Sequence, residues 1–153
     1  MKCESFNEND QNKLEDFMNI VYSVRGYKFD AFGLHRDVRN INEIYKISGG
    51  DFWIIKDNDL IIGSIALKLI NQKEKIGEIK RYFVLPNYQG KGFGKMLMEF
   101  LINESKNRGL LKLRLDTMKE SLKAISIFRK YGFYEIQKYN DNDIAEIFME
   151  RIC

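Results

Sequence analysis

The sequence predicts a single α/β domain over residues 1–153, built on a central, mixed, mostly antiparallel sheet flanked by about four helices. Three observations predict it. The length fits one domain with a real core. Residues 52–85 hold three β-rich segments separated by short polar turns. After them, a strand, a glycine-rich loop, an amphipathic stretch and an alternating leucine segment follow one another, and a strand–helix–strand unit favours parallel pairing of its two strands.

Leu14, Phe17, Met18, Val21 and Tyr22 recur at i, i+3, i+4, i+7 and i+8, one apolar face of a helix that Gly26 would stop. Residues 27–36 have no period and read as a loop. Val38, Ile41, Ile44 and Tyr45 predict a second short helix over 37–47, broken by Ser48-Gly49-Gly50. Residues 52–56 form the first strand, Asp57-Asn58-Asp59 the hairpin turn, 60–70 the second strand and 76–85 the third. Pro86 ends that strand because it cannot donate to a ladder. A helix over 93–106 presents Phe93, Met96, Leu97, Phe100 and Leu101, with Arg108-Gly109 at its end. Leu111, Leu113 and Leu115 alternate with polar residues and mark a strand. A helix over 119–131 buries Leu122, Ile125 and Phe128 and stops at Gly132. Two closing strands, 133–138 and 144–151, flank a polar turn at 139–143.

Composition excludes several classes. A hydrophobic share of 44% and an aromatic share of 13% place the chain among ordinary globular proteins. The balance of 25 basic and 22 acidic residues is too even for a nucleic-acid binder, which needs a concentrated basic stripe. No apolar run reaches the roughly 18 residues of a membrane span, and residues 1–11 lack the apolar centre of a signal peptide. Cys3 and Cys153 have no metal-type spacing, and reduced thiols are expected. The reading is a cytoplasmic protein without nucleic-acid or membrane partners and without a metal.

Chemistry concentrates in Gln89-Gly90-Lys91-Gly92-Phe93-Gly94-Lys95. Three alternating glycines permit positive φ and close approach of a ligand. Their N–H groups sit at a helix N-terminus, where the backbone dipole favours negative charge. Lys91 and Lys95 add positive charge there. The segment is prepared for a phosphate or pyrophosphate. It does not satisfy the P-loop pattern, since Met96 follows Lys95, and the helices and antiparallel strands before it are not a Rossmann context.

With Val84-Leu85-Pro86 ahead of this loop, Leu115-Asp116-Thr117 and Ala124-Ile125 after it, and Gly132-Phe133 at a helix end, the chain resembles the GNAT superfamily of acetyl-CoA-dependent N-acetyltransferases. The resemblance covers residues 52–150 by motif order. It implies a sheet splayed near its middle, with the coenzyme's pantetheine arm in the split. Backbone groups of Tyr82, Phe83 and Val84 would bond the pantetheine and the acetyl carbonyl, and an N–H near Val84 would stabilise developing negative charge. N–H groups from Gly90 to Lys95 would hold the pyrophosphate, and Ser121, where relatives often carry asparagine, would bond the coenzyme.

An attacking ammonium must lose a proton. Glu78, on the strand into the loop, and Asp116, at the end of the next strand, are the candidate bases, Glu78 placed first. Alternation would put Glu78, Lys80, Tyr82 and Val84 on one face unless a bulge intervenes. The bland alternatives are a Glu78–Lys80 pair and a helix-entry role for Asp116. Relatives carry a proton-donating tyrosine where this chain has Phe128, so Tyr131, Tyr82 or water would protonate the departing thiolate. By resemblance, the loop after the first helix and the 139–143 turn build the acceptor pocket. Asp141 and Asp143 would attract a cationic amine, while Tyr27, Phe29 and Phe32 would line an apolar wall. His35, the only histidine, is expected to be a solvent-exposed loop residue. The expected activity is direct acetyl transfer to a primary amine of a small molecule or peptide. A non-catalytic coenzyme A-binding module is the alternative. Homodimers are frequent among relatives.

Overall fold

A computed structural model describes residues 1–153. Its seven strands form one sheet in the order β1-β2-β3-β4-β5-β7-β6. They are β1 (Cys3–Ser5), β2 (Asp51–Asp57), β3 (Leu60–Asn71), β4 (Ile76–Val84), β5 (Lys112–Thr117), β6 (Tyr134–Ile136) and β7 (Ile147–Ile152). The helices are α1 (Gln11–Val24), α2 (Phe93–Asn107) and α3 (Leu122–Lys130). All pairings are antiparallel except β4–β5, the parallel pair that the strand–helix–strand unit predicted. No helix is long and apolar enough to cross a membrane.

Helix α1 buries the five residues its spacing singled out, Leu14, Phe17, Met18, Val21 and Tyr22. The buried stripe of α2 is Leu97, Met98, Leu101, Ile102 and Ser105. Phe93, Met96 and Phe100 pack at its flank, where the ring of Phe100 meets Trp53 edge-on at 5.4 Å. The helix expected over 37–47 is a correction. A 3-10 turn, Arg36–Arg39, and a π-helical turn, Asn42–Lys46, stand there instead. Asn40 separates them: its backbone leaves the helical region, with φ −131° and ψ 41°, and its side-chain amide donates to the Arg36 carbonyl. The apolar spacing still served its purpose, since Val38, Ile41 and Tyr45 are buried. The sequence reading also missed β1, a three-residue edge strand paired with β2 through Cys3 and Ile55.

Strand β4 carries the feature on which the site depends. Ser64 faces Phe83 and Ala66 faces Lys80, so Ile65 alone opposes both Arg81 and Tyr82. This is a β-bulge, and Arg81 adopts φ +52° within it. The extra residue reverses the alternation. Tyr82 and Val84 turn to the α2 side, where a Cβ on Gly94 would meet both. Phe83 and Arg81 turn to the α1 side, against Tyr22. Glu78, Lys80, Tyr82 and Val84 therefore do not share a face.

Candidate functional site

Strands β4 and β5 pair only where Ile76–Glu78 face Lys112–Arg114. Beyond that point β5 stays with β7 and β4 with β3, so the two parallel strands part. The split opens into a cleft of about 570 Å³, floored by Ile79 to Phe83 and by Leu115 to Met118. The residues of the α1 loop and of the β6–β7 loop form its rim. Ser121, Ala124 and Phe128 close the α3 side.

Main-chain groups on the β4 side are available to the split. The N–H of Leu85 bonds the Ile62 carbonyl at 2.8 Å. Ladder alternation makes Phe83 and Ser64 the next bonded pair, which turns the main chain of Val84 away from β3 and toward the gap. Gln89 Nε2 already donates to the Val84 carbonyl at 3.0 Å, leaving the Val84 N–H. Tyr82 has no register partner in β3. The backbone of Phe83, by contrast, is committed to β3; only its ring reaches the cleft.

The glycine loop leads into α2. Gly90 and Gly92 adopt φ +74° and +92°, and nothing lies within 4 Å of a Cβ built on either. Gly94 is needed for a different reason: a Cβ there would lie 2.9 Å from the Tyr82 hydroxyl, which donates to the Gly94 carbonyl at 2.8 Å. The first turn of α2 has no intrahelical acceptors for its N–H groups, and no other main-chain bond uses those of Gly90 to Lys95. Lys91 lies over the Tyr88 ring at 5.5 Å, and Lys95 stands 3.8 Å from Glu99.

The two carboxylates meet through one amide. Asn140 Nδ2 donates to Glu78 Oε2 at 3.0 Å and to Asp116 Oδ2 at 2.6 Å. Glu78 is 4% exposed, accepts from the Tyr139 hydroxyl at 2.6 Å and pairs with Lys80 at 3.2 Å. Burial and the neighbouring Glu78 charge hold the Tyr139 proton far more tightly than in a free tyrosine. Glu78 does not line the cleft; Asp116 does. Asn142 Nδ2 gives Asp116 a second amide donor at 3.2 Å. Asn140 and Asn142 are fixed by their own carbonyls, which accept the N–H groups of Asn142 and Ile144.

The other expected residues scatter. Tyr131 donates to Glu99 at 3.1 Å and is not among the cleft residues, whereas Tyr82 lies in the cleft, its ring 5.9 Å from that of Phe128. Burial pushes the Tyr82 hydroxyl up to about 12, so it keeps its proton at neutral pH. Ser121 Oγ accepts from Arg25 at 3.0 Å, and Tyr27 donates to Glu120 at 3.0 Å, so the α1 loop is tied to the α3 entrance across the rim. Asp141 lines the cleft, and Asp143, also there, is held by Lys138. Phe29 is buried and stacks on Tyr22, and Phe32 is 81% exposed under Arg39; neither lines the cleft. His35 is a correction: it is 6% exposed, stacked on Tyr22 at 4.2 Å, and accepts the Asp30 N–H at Nδ1. Burial, with Arg81 nearby, lowers its affinity for a proton.

Sequence reasoning missed the supports. Arg81 binds Asp37 through two N–H groups, at 2.9 and 2.7 Å, and gives a third to the Tyr22 hydroxyl at 2.8 Å. Tyr45 completes the cluster on Asp37 at 2.6 Å. These partners lie up to 59 residues apart in the chain, so no local pattern announces them. The run Tyr139-Asn140-Asp141-Asn142-Asp143 is a signal in part: its composition marks a polar turn, and its two asparagines hold the carboxylates.

The model of a family described as Acetyltransferase (GNAT) matches residues 19–133. An uncharacterized N-acetyltransferase of Dictyostelium discoideum is 42% identical over 75 residues, which are 46% of this chain and 35% of that relative. The chain therefore spans about a third of that protein's length. An acetyltransferase of the GNAT family from Staphylococcus aureus Mu50 superposes with a TM-score of 0.88 at 24% identity, covering 99% of this chain and 98% of its own. A GNAT family acetyltransferase from Elizabethkingia anophelis, with acetyl-CoA bound, aligns with a TM-score of 0.58 at 25% identity, over 71% of this chain and 79% of its own.

Proposed function

The chain belongs to the GNAT acetyltransferase family, and from that premise we propose that it transfers an acetyl group from acetyl-CoA to a primary amine by direct attack within a ternary complex. One observation carries the reading. A parallel strand pair splits beside a helix N-terminus whose N–H groups, from Gly90 to Lys95, have no main-chain acceptor. Such a row of donors suits a pyrophosphate, and the split suits the arm attached to it.

Acetyl-CoA, when bound, supplies the thioester carbon that the amine attacks. In this reading Gly90 and Gly92 keep the pyrophosphate approach clear, and the first turn of α2 donates to it. The Val84 N–H faces the gap and stabilises negative charge on the acetyl oxygen. Asp116 lines the cleft and takes the amine's proton, directly or through water. Glu78, behind Asn140, positions that amide rather than touching substrate. The Tyr82 hydroxyl is the protonated group on the coenzyme side and, on turning from the Gly94 carbonyl, returns a proton to the thiolate, the task Phe128 cannot perform. Asp141 adds negative charge where the amine enters.

A calorimetric titration with acetyl-CoA and a free-thiol assay over an amine panel test the reading. Saturable binding with amine-dependent thiol release is expected. Gly92→Val strains a left-handed position and crowds the phosphate approach, so it should weaken binding about tenfold with the fold kept. Unchanged affinity would contradict the loop assignment. Tight binding without thiol release from any amine would favour a coenzyme-binding module.

A further inference from the structure

We infer that the acceptor is amphoteric: an amine that also carries a carboxylate, its ammonium seated at Asp116 and Asp141 and its carboxylate at Arg25 and Lys28. The inference rests on the acetyl-transfer reading and narrows its acceptor class. It comes from the charges that the cleft leaves unbalanced.

Four cations line the cleft, on β4 and the α1 loop. Two are already neutralised: Lys80 stands 3.2 Å from Glu78, and Arg81 stands 2.7 Å from Asp37. Arg25 and Lys28 have no carboxylate within ion-pair reach. Arg25 is nonetheless held in place, one N–H on Ser121 Oγ at 3.0 Å and its guanidinium 5.7 Å from the centre of the Phe83 ring. That contact uses one of five donors and leaves a planar fork free for a carboxylate.

On β5 and the β6–β7 loop the balance is the reverse. Three aspartates line the cleft there. Asp143 is neutralised by Lys138. Asp116 receives only neutral amides, from Asn140 and Asn142, which orient the carboxylate without cancelling its charge. Asp141 has neither an ion pair nor a side-chain hydrogen bond. Opposite unpaired charges lining one cleft attract a ligand carrying both signs. A diamine would bring one ammonium toward Arg25 and Lys28 and be repelled; a simple amine would leave both cations without a counter-charge.

Matched acceptors that differ only in the carboxylate test this: lysine against cadaverine, and ornithine against putrescine, assayed for thiol release at saturating acetyl-CoA. The carboxylate-bearing member of each pair should show a kcat/KM higher by about tenfold or more, the range of a charge-assisted contact. In the Arg25→Gln/Lys28→Gln double variant that ratio should fall toward one, with acetyl-CoA affinity and thermal midpoint kept. Equal or better use of the diamines overturns the inference. So does selectivity that survives in the double variant. So does a lack of turnover of every pair by protein that binds acetyl-CoA. Failure to bind acetyl-CoA would instead overturn the reading underneath.

Discussion

Asp116 and Glu78 share one amide yet occupy different surroundings, and the difference separates the roles proposed for them. Asp116 faces the cleft with neutral donors only, so its lone pairs remain open to an ammonium or a water. Glu78 is enclosed by Tyr139, Asn140 and Lys80. Asp116→Asn should lower kcat/KM by about 10²–10⁴, the usual worth of a general base. The loss should shrink at high pH, where free amine is abundant. Glu78→Gln should cost less and show no such pH dependence. A pH–rate profile of both variants distinguishes them, and the opposite ranking would return the base to Glu78. On the coenzyme side, Gly94→Ala should raise the acetyl-CoA Kd several-fold, because its Cβ displaces the Tyr82 hydroxyl and with it the first turn of α2. An unchanged Kd would remove Tyr82 from the coenzyme wall.

At the scale of elements, the bulge in β4 decides which groups meet. Arg81, with φ +52°, holds a strained conformation worth about 1–3 kcal/mol because Asp37, Tyr22 and the main chain hold it there. Arg81→Met leaves Asp37 buried without its partner and should cost about 3 kcal/mol. Denaturant unfolding measures it; a loss under about 1 kcal/mol would mean the pair does not lock α1 to β4. The same bulge marks where sequence reading stopped. The α1 face, the Pro86 strand end and the glycine loop were legible, because periodicity, the missing N–H of proline and left-handed glycines are local properties; the α2 and α3 faces were legible in part, since Leu97, Leu101, Ile125 and Phe128 are buried but Leu122 is 72% exposed. The bulge was not, because Arg81 is held by partners far away in the chain. The interrupted 37–47 helix was not, because its apolar spacing suits a helix and the Asn40 side chain breaks it. The carboxylate clamp was half legible: its asparagines stood in view, but what they hold depends on how β4 and β5 diverge.

For the whole molecule, stability should fall with pH in two ranges. Burial would raise the carboxyl of Asp37, but the hydrogen bonds and charge of Arg81 outweigh it and hold the group below its ordinary 3.8. Burial likewise opposes Glu150, and Tyr134 and Arg114 bring it below its ordinary 4.5. A carboxylate lowered by folding stabilises fully above its unfolded value and loses that contribution as pH falls through the folded one. The lower decline therefore begins near pH 4.5 and deepens below 3.8. His35 makes the upper decline. Burial and Arg81 lower it from the ordinary 6.5, outweighing Asp37 and Asp30. Below pH 6.5 the unfolded chain binds a proton that folded His35 refuses, so stability falls with pH until the folded imidazole also titrates. Thermal midpoints measured from pH 7.5 to pH 3 should show both declines. His35→Gln, which keeps an acceptor for the Asp30 N–H, should flatten the upper decline and leave the lower one intact. An unchanged upper slope in that variant would mean that another group titrates there, since His35 is the only histidine in the chain.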